Sequence, residues 1–205
     1  MSHGKLYGRM ICAWLVLMAV PLSGEEYAYA VELPPRRPSG RVSPVSGSEE
    51  NPFNTIMIGN QLWMAENLNT QRTVSGDLLD GVYSYDNNED YVEEYGRLYN
   101  WEAAMRACPD GWHLPTNAEW DELISTLGPN AADQLKEGGT SGFEAKMGGL
   151  RTGDSYEYIG ELGLHWTSTE ADDHATQKLI VVNESDVNTG NIPKINGLSV
   201  RCVGD

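Results

Sequence analysis

Residues 55–64 contain two short runs with apolar residues at alternate positions, Ile56 and Ile58 in the first and Leu62 and Met64 in the second. Apolar residues occupy every second position on both sides of Gly59-Asn60, from Ile56 to Met64. Such alternation is typical of a half-buried strand, and a glycine–asparagine pair between two alternating runs is typical of a two-residue turn. The pattern therefore predicts a β-hairpin over 55–64.

A helical pattern follows in residues 100–109. The side chain of Asn100 can accept a hydrogen bond from the free amides of a first helical turn, which suits it to the N-cap position. The residue before a proline avoids the helical region, so the helix is expected to end at Cys108-Pro109. These two signals predict a short helix over Trp101–Ala107.

The next helix has the sharpest boundaries in the sequence. Thr116 and Glu119 have the spacing of a capping box, in which each side chain accepts from the backbone amide of the other residue. Gly128 and Pro129 then predict the end of the helix. Between these signals, apolar residues at positions i, i+3, i+4 and i+7 form one stripe: Trp120, Leu123, Ile124 and Leu127.

Further strands are predicted on both sides of these helices. They lie at Val82–Tyr85, His165–Ser168, Gln177–Val182 and Leu198–Val203, whereas the glycine-rich residues 138–153 predict irregular structure. Strands therefore come first, helices next and strands last. This order predicts an α+β domain whose two ends meet in one antiparallel sheet.

Residues 1–52 have the composition of a leader and a linker. Lys5 and Arg9 precede an apolar run of 11 residues (10–20), and Ala28-Tyr29-Ala30 offers a small-residue cleavage site. A membrane span needs about 20 apolar residues, so a cleaved secretory signal at 1–30 is favoured. Residues 31–52 alternate prolines with serines and glycines, which predicts a spacer and leaves 53–205 as the folded domain.

The chain has a formal net charge of −16. Residues 1–30 hold as many basic side chains (Lys5 and Arg9) as acidic ones (Glu25 and Glu26), so cleavage leaves that charge unchanged. A field of this sign repels phosphate backbones and anionic membrane surfaces. Nucleic acid is therefore disfavoured as a partner, and no membrane span is expected after cleavage.

Loss of the leader removes Cys12 and leaves Cys108 and Cys202. Exported proteins permit oxidation, so these two residues are expected to form a disulfide that joins the end of the first helix to the last strand. The alternative is a pair of buried free thiols.

Five blocks of the sequence resemble one family. They are IGNQLWMAENLN (58–69), YGRLYNWEAA (95–104), CPDGWHLPTNAEW (108–120), HWTSTE (165–170) and GLSVRCV (197–203). In this order they resemble the Fibrobacter succinogenes major paralogous domain, an exported bacterial family without a generally assigned activity. That family is more distantly similar to the C-type-lectin and formylglycine-generating-enzyme fold.

The resemblance implies a C-type-lectin-like fold, in which two short helices pack on a twisted antiparallel sheet with long ligand-bearing loops. It also implies the pairing of Cys108 with Cys202. Family members often carry a second cysteine pair before the YGRLYNW block, whereas this chain has Ser84 and Tyr91 at about those positions. The 84–94 loop therefore lacks that covalent link.

The sequence lacks the residues of the common catalytic sites. There is no G-x-S-x-G elbow, H-E-x-x-H motif or phosphate-binding glycine loop. The formylglycine-generating enzymes need a pair of active-site cysteines, and Cys202 is already assigned to the disulfide. His113 lacks the spacing of a zinc ligand and is expected in a core or capping role. We therefore expect no catalytic residues and no cofactor other than calcium.

Calcium is the metal that the sequence is best suited to bind. Asp86, Asn88 and Asp90 place oxygen ligands at alternate positions, as the start of a helix-loop-helix calcium loop does. Tyr91 stands where that loop needs glycine, and Arg97 stands where it needs glutamate. The alternative is a solvated turn rich in Asp and Asn.

Polar side chains fill the two connections that follow Trp166. We expect any ligand site to lie there, because such loops vary without harm to the core. Ordinary solvated turns are the alternative, and Trp166 itself is favoured as a packing residue. The candidate ligand residues have polar side chains suited to hydroxyl-rich ligands or calcium: Thr169, Glu170, Asp172, Asp173, His174, Asn183, Asp186, Asn188 and Asn191.

These observations favour an exported binding module, secreted or held at the outer surface or in the periplasm. Its expected partner is carbohydrate or a cell-surface protein. A polysaccharide-active enzyme and a purely structural surface component are the alternatives. A deep pocket with convergent polar groups would favour the enzyme, whereas a shallow aromatic-and-amide surface on the 166–196 loops would favour binding.

Overall fold

The computed structural model describes residues 53–205, and the predicted signal peptide (1–30) and linker (31–52) lie outside them. The strands are β1 (Thr55–Ile58), β2 (Gln61–Met64), β3 (Val82–Tyr83), β4 (Leu98–Tyr99), β5 (Trp112–His113), β6 (Gly148–Thr152), β7 (Ser155–Ile159), β8 (Leu162–Ala171), β9 (His174–Val181), β10 (Val187–Pro193) and β11 (Val203–Gly204). The helices are α1 (Val92–Tyr95), α2 (Trp101–Ala107), α3 (Asn117–Leu127) and α4 (Ala131–Leu135). The mixture agrees with the α+β class, and the finer C-type-lectin-like topology stays a prediction.

The predicted hairpin is formed by β1 and β2, which pair antiparallel with Ile58 opposite Gln61. Gly59 adopts a φ of 59°, the left-handed backbone that this turn requires and that glycine adopts without strain. A four-stranded sheet then has the order β1-β2-β11-β5. The two ends of the domain therefore meet in one antiparallel sheet, as predicted.

The predicted disulfide fixes this junction. Cys108 follows α2 and Cys202 precedes β11, and their Cα atoms lie 5.9 Å apart in the bonded pair. The bond closes a loop with a sequence separation of 94 residues. A loop of that length corresponds to roughly 4–5 kcal/mol of stabilisation through the unfolded chain.

Both predicted helices form with the predicted caps. Asn100 Oδ1 accepts from Ala103 N at 2.8 Å at the start of α2. Thr116 Oγ1 accepts from Glu119 N at 3.1 Å, and Glu119 Oε2 accepts from Thr116 N at 2.7 Å, which completes the capping box of α3. These bonds satisfy amide donors that no helical carbonyl can reach.

The structure departs from the sequence expectations in the short elements. Besides the two predicted helices it has α1 and α4, of four and five residues. Residues 138–153, expected to be irregular, contain β6. The strand expected over 198–203 is reduced to its last residue, because Leu198 and Ser199 form only isolated bridges. Elements this short depend on tertiary contacts rather than on local periodicity.

A five-stranded sheet has the order β10-β9-β8-β6-β7. Its long central pair, β8 and β9, is antiparallel with an irregularity between Trp166 and Glu170, and it contains most of the predicted strands at 165–168 and 177–182. β3 and β4 form a separate two-stranded sheet. Among the described residues, no helix has the length and hydropathy that crossing a bilayer requires.

Buried side chains form two clusters against these sheets. Trp63, Trp120 and Phe143 meet in one cluster, with ring centroids 5.0 to 5.7 Å apart. The other cluster contains Trp166, which is fully buried and donates its indole N–H to Tyr99 O at 2.7 Å. Trp166 is therefore a packing residue.

A buried polar network touches both clusters. The guanidinium of Arg201 is fully buried and donates to Met64 O at 3.0 Å, Phe143 O at 2.5 Å and Asn67 Oδ1 at 2.9 Å. Burial lowers the pKa of Arg201 to about 9, which leaves the group charged at neutral pH. Asn67 Nδ2 in turn donates to Tyr95 O at 2.9 Å.

His165 joins this network as a neutral side chain. Its Nε2 lies 3.3 Å from Asn67 Oδ1, and the residue is fully buried. Burial and the charge of Arg201 lower the pKa of His165 to about 3. The protein therefore avoids a second cation beside the guanidinium.

Replacement of Trp120 by alanine is expected to lower the free energy of unfolding by about 3–5 kcal/mol, because the ring is fully buried. Thr116→Ala removes only a helix cap and should cost about 1 kcal/mol. Urea unfolding of both variants measures the difference. Equal shifts of the two midpoints would contradict the core position of Trp120.

Asn67→Ala is expected to lower the free energy of unfolding by roughly 3 kcal/mol or more, because it leaves donors of a buried guanidinium unpaired. Asn69→Ala is the matched control, since Asn69 is exposed. That control should shift stability by no more than about 0.5 kcal/mol. An Asn67→Ala protein with the wild-type urea midpoint would show that the network does not stabilise the domain.

Candidate functional site

A cleft of about 290 Å³ lies between α1, the segment after α4 and the turns that follow β7 and β9. Its apolar lining consists of Tyr95, Ala145, Met147 and Val182. Val182 is 42% exposed, so a large aliphatic side chain stays accessible there. A concave, mainly apolar surface with a few polar groups is the usual form of a small-ligand site.

The polar lining of the cleft contains both positively and negatively charged side chains. Lys146 Nζ lies 2.6 Å from Glu137 Oε1. Lys136 Nζ is held by Asp133 Oδ1 at 2.9 Å and also bonds a backbone carbonyl. Both ammonium groups are thus already compensated, while Glu94 adds a further negative charge. An anionic ligand would meet no free cation here.

Tyr95 connects the cleft to the buried polar network. Its backbone carbonyl accepts from Asn67, the residue that also holds Arg201. Partial burial, helped by a hydrogen bond with Glu94, raises the pKa of the Tyr95 phenol, so its hydroxyl stays protonated. The core of the domain therefore holds the backbone at Tyr95 in place.

A row of tyrosine rings continues from Tyr95. The centroid distances along the row are 6.3 Å to Tyr91, then 5.6 Å to Tyr85 and 5.4 Å to Tyr156. Interplanar angles of 57° to 76° show tilted and edge-to-face packing rather than a flat platform. The row holds the 85–95 segment against β7.

The 82–91 segment also differs from its prediction. The strand expected over 82–85 ends at Tyr83, and Tyr85–Asn87 and Glu89–Tyr91 form 3-10 turns. Tyr156 OH donates to Asn87 Oδ1 at 2.9 Å, which anchors the first turn to β7. Two neighbouring residues, Asp86 and Asn87, take left-handed φ values of 53° and 54°.

The predicted calcium ligands lie in this segment. Asp86, Asn88 and Asp90 are all exposed, and Asn88 Oδ1 accepts from Asp90 N at 3.0 Å. Within residues 53–205, no group of three or more His, Cys, Asp or Glu side chains is placed to hold a metal ion. Calcium binding here stays a prediction.

The predicted ligand residues fall into two groups at opposite ends of β9. The first group lies around the β8–β9 turn, where Thr169 Oγ1 accepts from Asn117 N at 2.9 Å and Glu170 forms an ion pair with Lys194. The same end holds Asp172, Asp173, His174 and, on β10, Asn191.

The second group lies around the β9–β10 turn and includes Asn183, Asp186 and Asn188. Asn188 Nδ2 donates to Glu184 Oε2 at 3.0 Å. β9 has eight residues, so roughly 23 Å separates the two turns at the rise of an extended strand. A small ligand cannot contact both turns, and the role of these residues in binding stays a prediction.

His113 lies between two carboxylates. Its Nδ1 is 2.6 Å from Asp205 Oδ1, and its Nε2 is 2.8 Å from Glu119 Oε1. Partial burial would lower the pKa of His113, but these two partners outweigh it and raise the pKa above 6.5. His113 therefore links β5 to α3 and to Asp205 through side-chain hydrogen bonds.

Sequence reasoning missed the cleft because its lining comes from α1, the 136–147 segment and two turns that are far apart in the chain. The spacing of residues along the sequence does not indicate that these segments come together. The one available signal was the density of tyrosines that leads into the YGRLYNW block, at positions 83, 85, 91 and 95, the last of which begins the block. Tyrosines on a segment without apolar periodicity indicate a surface that is partly apolar and partly wet.

The model of one protein family, described as the Fibrobacter succinogenes major domain, matches residues 56–204. No curated protein and no solved structure matches the chain at a significant level.

The His113 cluster predicts a pH dependence. The raised pKa of His113 adds stability that is fully present below 6.5 and is lost as pH rises through the folded-state value. Partial burial would raise the pKa of Glu119, but hydrogen bonds from Thr116 and His113 outweigh it and lower this pKa. The lowered pKa adds stability that is lost as pH falls below 4.5. The advantage of the wild type over His113→Gln should therefore be largest between about pH 4.5 and 6.5.

Urea unfolding of both proteins from pH 3.5 to 9 measures that advantage, with His174→Gln as a control for an exposed histidine pair. An advantage of the wild type that grows from pH 7 to pH 9 would contradict the assignment.

Proposed function

Because the chain belongs to the Fibrobacter succinogenes major domain family, we propose that it is an exported, non-catalytic module that binds an uncharged, hydroxyl-bearing ligand of the carbohydrate class. Family membership carries no activity with it, so the proposal rests on the site itself. The observation that carries it is the cleft, with a mainly apolar lining, a tyrosine whose backbone the core holds, and lysines that are already paired.

The chemistry of the lining favours a sugar over other small ligands. A sugar ring has an apolar face and a rim of hydroxyls, and Tyr95 offers a ring and a hydroxyl to such a ligand. Tyrosine supplies large contact area at low cost in side-chain entropy. A phosphate or carboxylate would have to displace Glu137 from Lys146 and approach Glu94, so a neutral ligand fits better.

Export is supported by the disulfide and by the leader pattern. A bond between Cys108 and Cys202 persists in an oxidising compartment and is rare in the cytosol. The apolar run at 10–20 is typical of a secretory signal peptide, which agrees with export. The module would then meet its ligand outside the cytoplasm.

A polysaccharide-active enzyme is the second candidate. Such an enzyme needs two carboxyl groups on opposite sides of the scissile bond. The carboxyl groups that line the cleft are Glu94 and Glu137, and Glu137 is engaged by Lys146. Glu94→Gln and Glu137→Gln therefore separate hydrolysis from binding.

Binding to a glycan array, followed by titration calorimetry on the best ligand, tests the proposal. Tyr95→Phe removes one hydroxyl and should weaken binding about tenfold, the loss typical of one hydrogen bond. Val182→Asp places a charge in the apolar lining and should abolish binding. Tyr85→Phe is the matched control, because it makes the same chemical change in the tyrosine row outside the lining of the cleft.

Unchanged affinity in both Tyr95→Phe and Val182→Asp would overturn the cleft as the site. Loss of binding in Asp172→Ala or Asn188→Ala would instead support the residues predicted after Trp166. Runs with calcium and with a chelator test Asp86, Asn88 and Asp90 in the same assay. Release of reducing ends by the wild type, lost in Glu94→Gln, would establish an enzyme.

A further inference from the structure

Tyr158 has a backbone conformation that residues with a side chain rarely adopt. Its φ is 64°, in the left-handed region, where the Cβ of an L residue comes too close to the following carbonyl oxygen. Gly149, which faces it in the β6–β7 hairpin, has a φ of 66°. A Cβ on Gly149 would lie 2.3 Å from Glu157 O, so glycine is required there. The hairpin thus has glycine at one of its two left-handed positions and tyrosine at the other.

Packing does not account for this tyrosine. Tyr158 is 50% exposed, so burial of its ring offsets little of the unfavourable backbone energy. Within residues 53–205, the other left-handed residues apart from glycine have amide or carboxylate side chains: Asp86, Asn87, Asn130, Glu144 and Asp172. Backbone strain of this kind is concentrated at functional sites, which makes Tyr158 a candidate for contact with a ligand.

Backbone hydrogen bonds place Tyr158 at the border of the cleft. Tyr158 O accepts from Glu161 N at 3.1 Å, which closes a tight turn, and Glu161 O accepts from Val182 N at 3.0 Å. In the same turn, Gly160 N donates to Met147 O at 2.7 Å. Gly160, Met147 and Val182 all line the cleft. Two exposed side chains with large apolar surfaces, those of Tyr158 and Val182, are therefore joined through a single residue.

We propose that the ring of Tyr158 forms a second binding position beside the cleft, where it contacts the next sugar of a ligand whose first ring lies in the cleft. This inference rests on the proposed function and specifies its ligand as an oligosaccharide. The cleft, of about 290 Å³, is at the lower end of the size of ligand pockets, so a chain of two sugars extends beyond it. An exposed aromatic ring offers the apolar face that such a chain needs outside the cleft.

Tyr158→Gly should change stability and affinity in opposite directions. Glycine adopts this φ without strain, so the ratio of folded to unfolded protein in urea should rise about fivefold. Loss of the ring should weaken binding of a disaccharide about five- to tenfold and leave binding of the matching monosaccharide unchanged. Titration calorimetry measures both affinities. Its probes are glucose, xylose, mannose, galactose and N-acetylglucosamine, each as the monosaccharide and as its β-1,4-linked dimer.

Two control variants accompany this measurement. Tyr158→Phe keeps both the ring and the backbone strain, so its affinity and stability should match the wild type. Ile195→Gly removes a side chain that is 73% exposed, from backbone outside the left-handed region and outside the lining of the cleft. Its stability should fall, because glycine makes the unfolded chain more flexible, and its affinity should stay unchanged.

Each remaining outcome decides against the inference. A Tyr158→Gly protein less stable than the wild type would show that packing holds the tyrosine. Equal losses for monosaccharide and dimer would place the ring within the cleft and remove the second position. Wild-type affinity for the dimers in Tyr158→Gly, with binding still abolished in Val182→Asp, would overturn this inference and leave the proposed function standing. A wild type that binds none of the probes would defeat both.

Discussion

The fold depends on the hydrogen bonds that the protein supplies to one buried cation, the guanidinium of Arg201. Transfer of the Arg201 guanidinium out of water costs several kcal/mol unless its donors are satisfied. Met64, Phe143 and Glu144 supply backbone carbonyls to it, and Asn67 supplies its side-chain oxygen. These acceptors come from the end of β2, the loop after it and the segment before β6. The guanidinium thus brings two distant parts of the chain, 64–67 and 143–144, together at the residue beside Cys202.

The same requirement determines where the cleft lies. Asn67 uses its oxygen for Arg201 and its amide for Tyr95 O, so the position of the last residue of α1 follows from the position of the cation. The backbone after α1 passes close to Asn67 at Gly96, where the Cβ of any other residue would lie 2.7 Å from Asn67 Cβ. Its φ of 74° also favours glycine. The side of the cleft that carries Tyr95 is therefore a consequence of core packing.

Local chemistry could be predicted from the sequence, and long-range convergence could not. Three features depend only on residues within a few positions of one another, so they can be recognised in the sequence. They are the capping box at Thr116, the turn at Gly59-Asn60 and the helix end at Cys108-Pro109. The polar network joins Asn67 to Arg201 across a separation of 134 residues, and no periodicity encodes such a contact. The cleft was missed for the same reason. The loops after Trp166 were predicted as a ligand site from their composition, but composition does not show that β9 separates them.

Two kinds of contact hold the side of the cleft that carries Tyr95. One is the buried polar network, in which Asn67 binds both Arg201 and the backbone carbonyl of Tyr95. The other is aromatic packing. Tyr91 packs on the rings of Tyr85 and Tyr95, and such contacts contribute about 0.5–1.5 kcal/mol each in addition to the burial of apolar area. The position of Tyr95 therefore depends first on the core of the domain, to which the buried network joins it, and second on the ring contacts of the 85–95 segment.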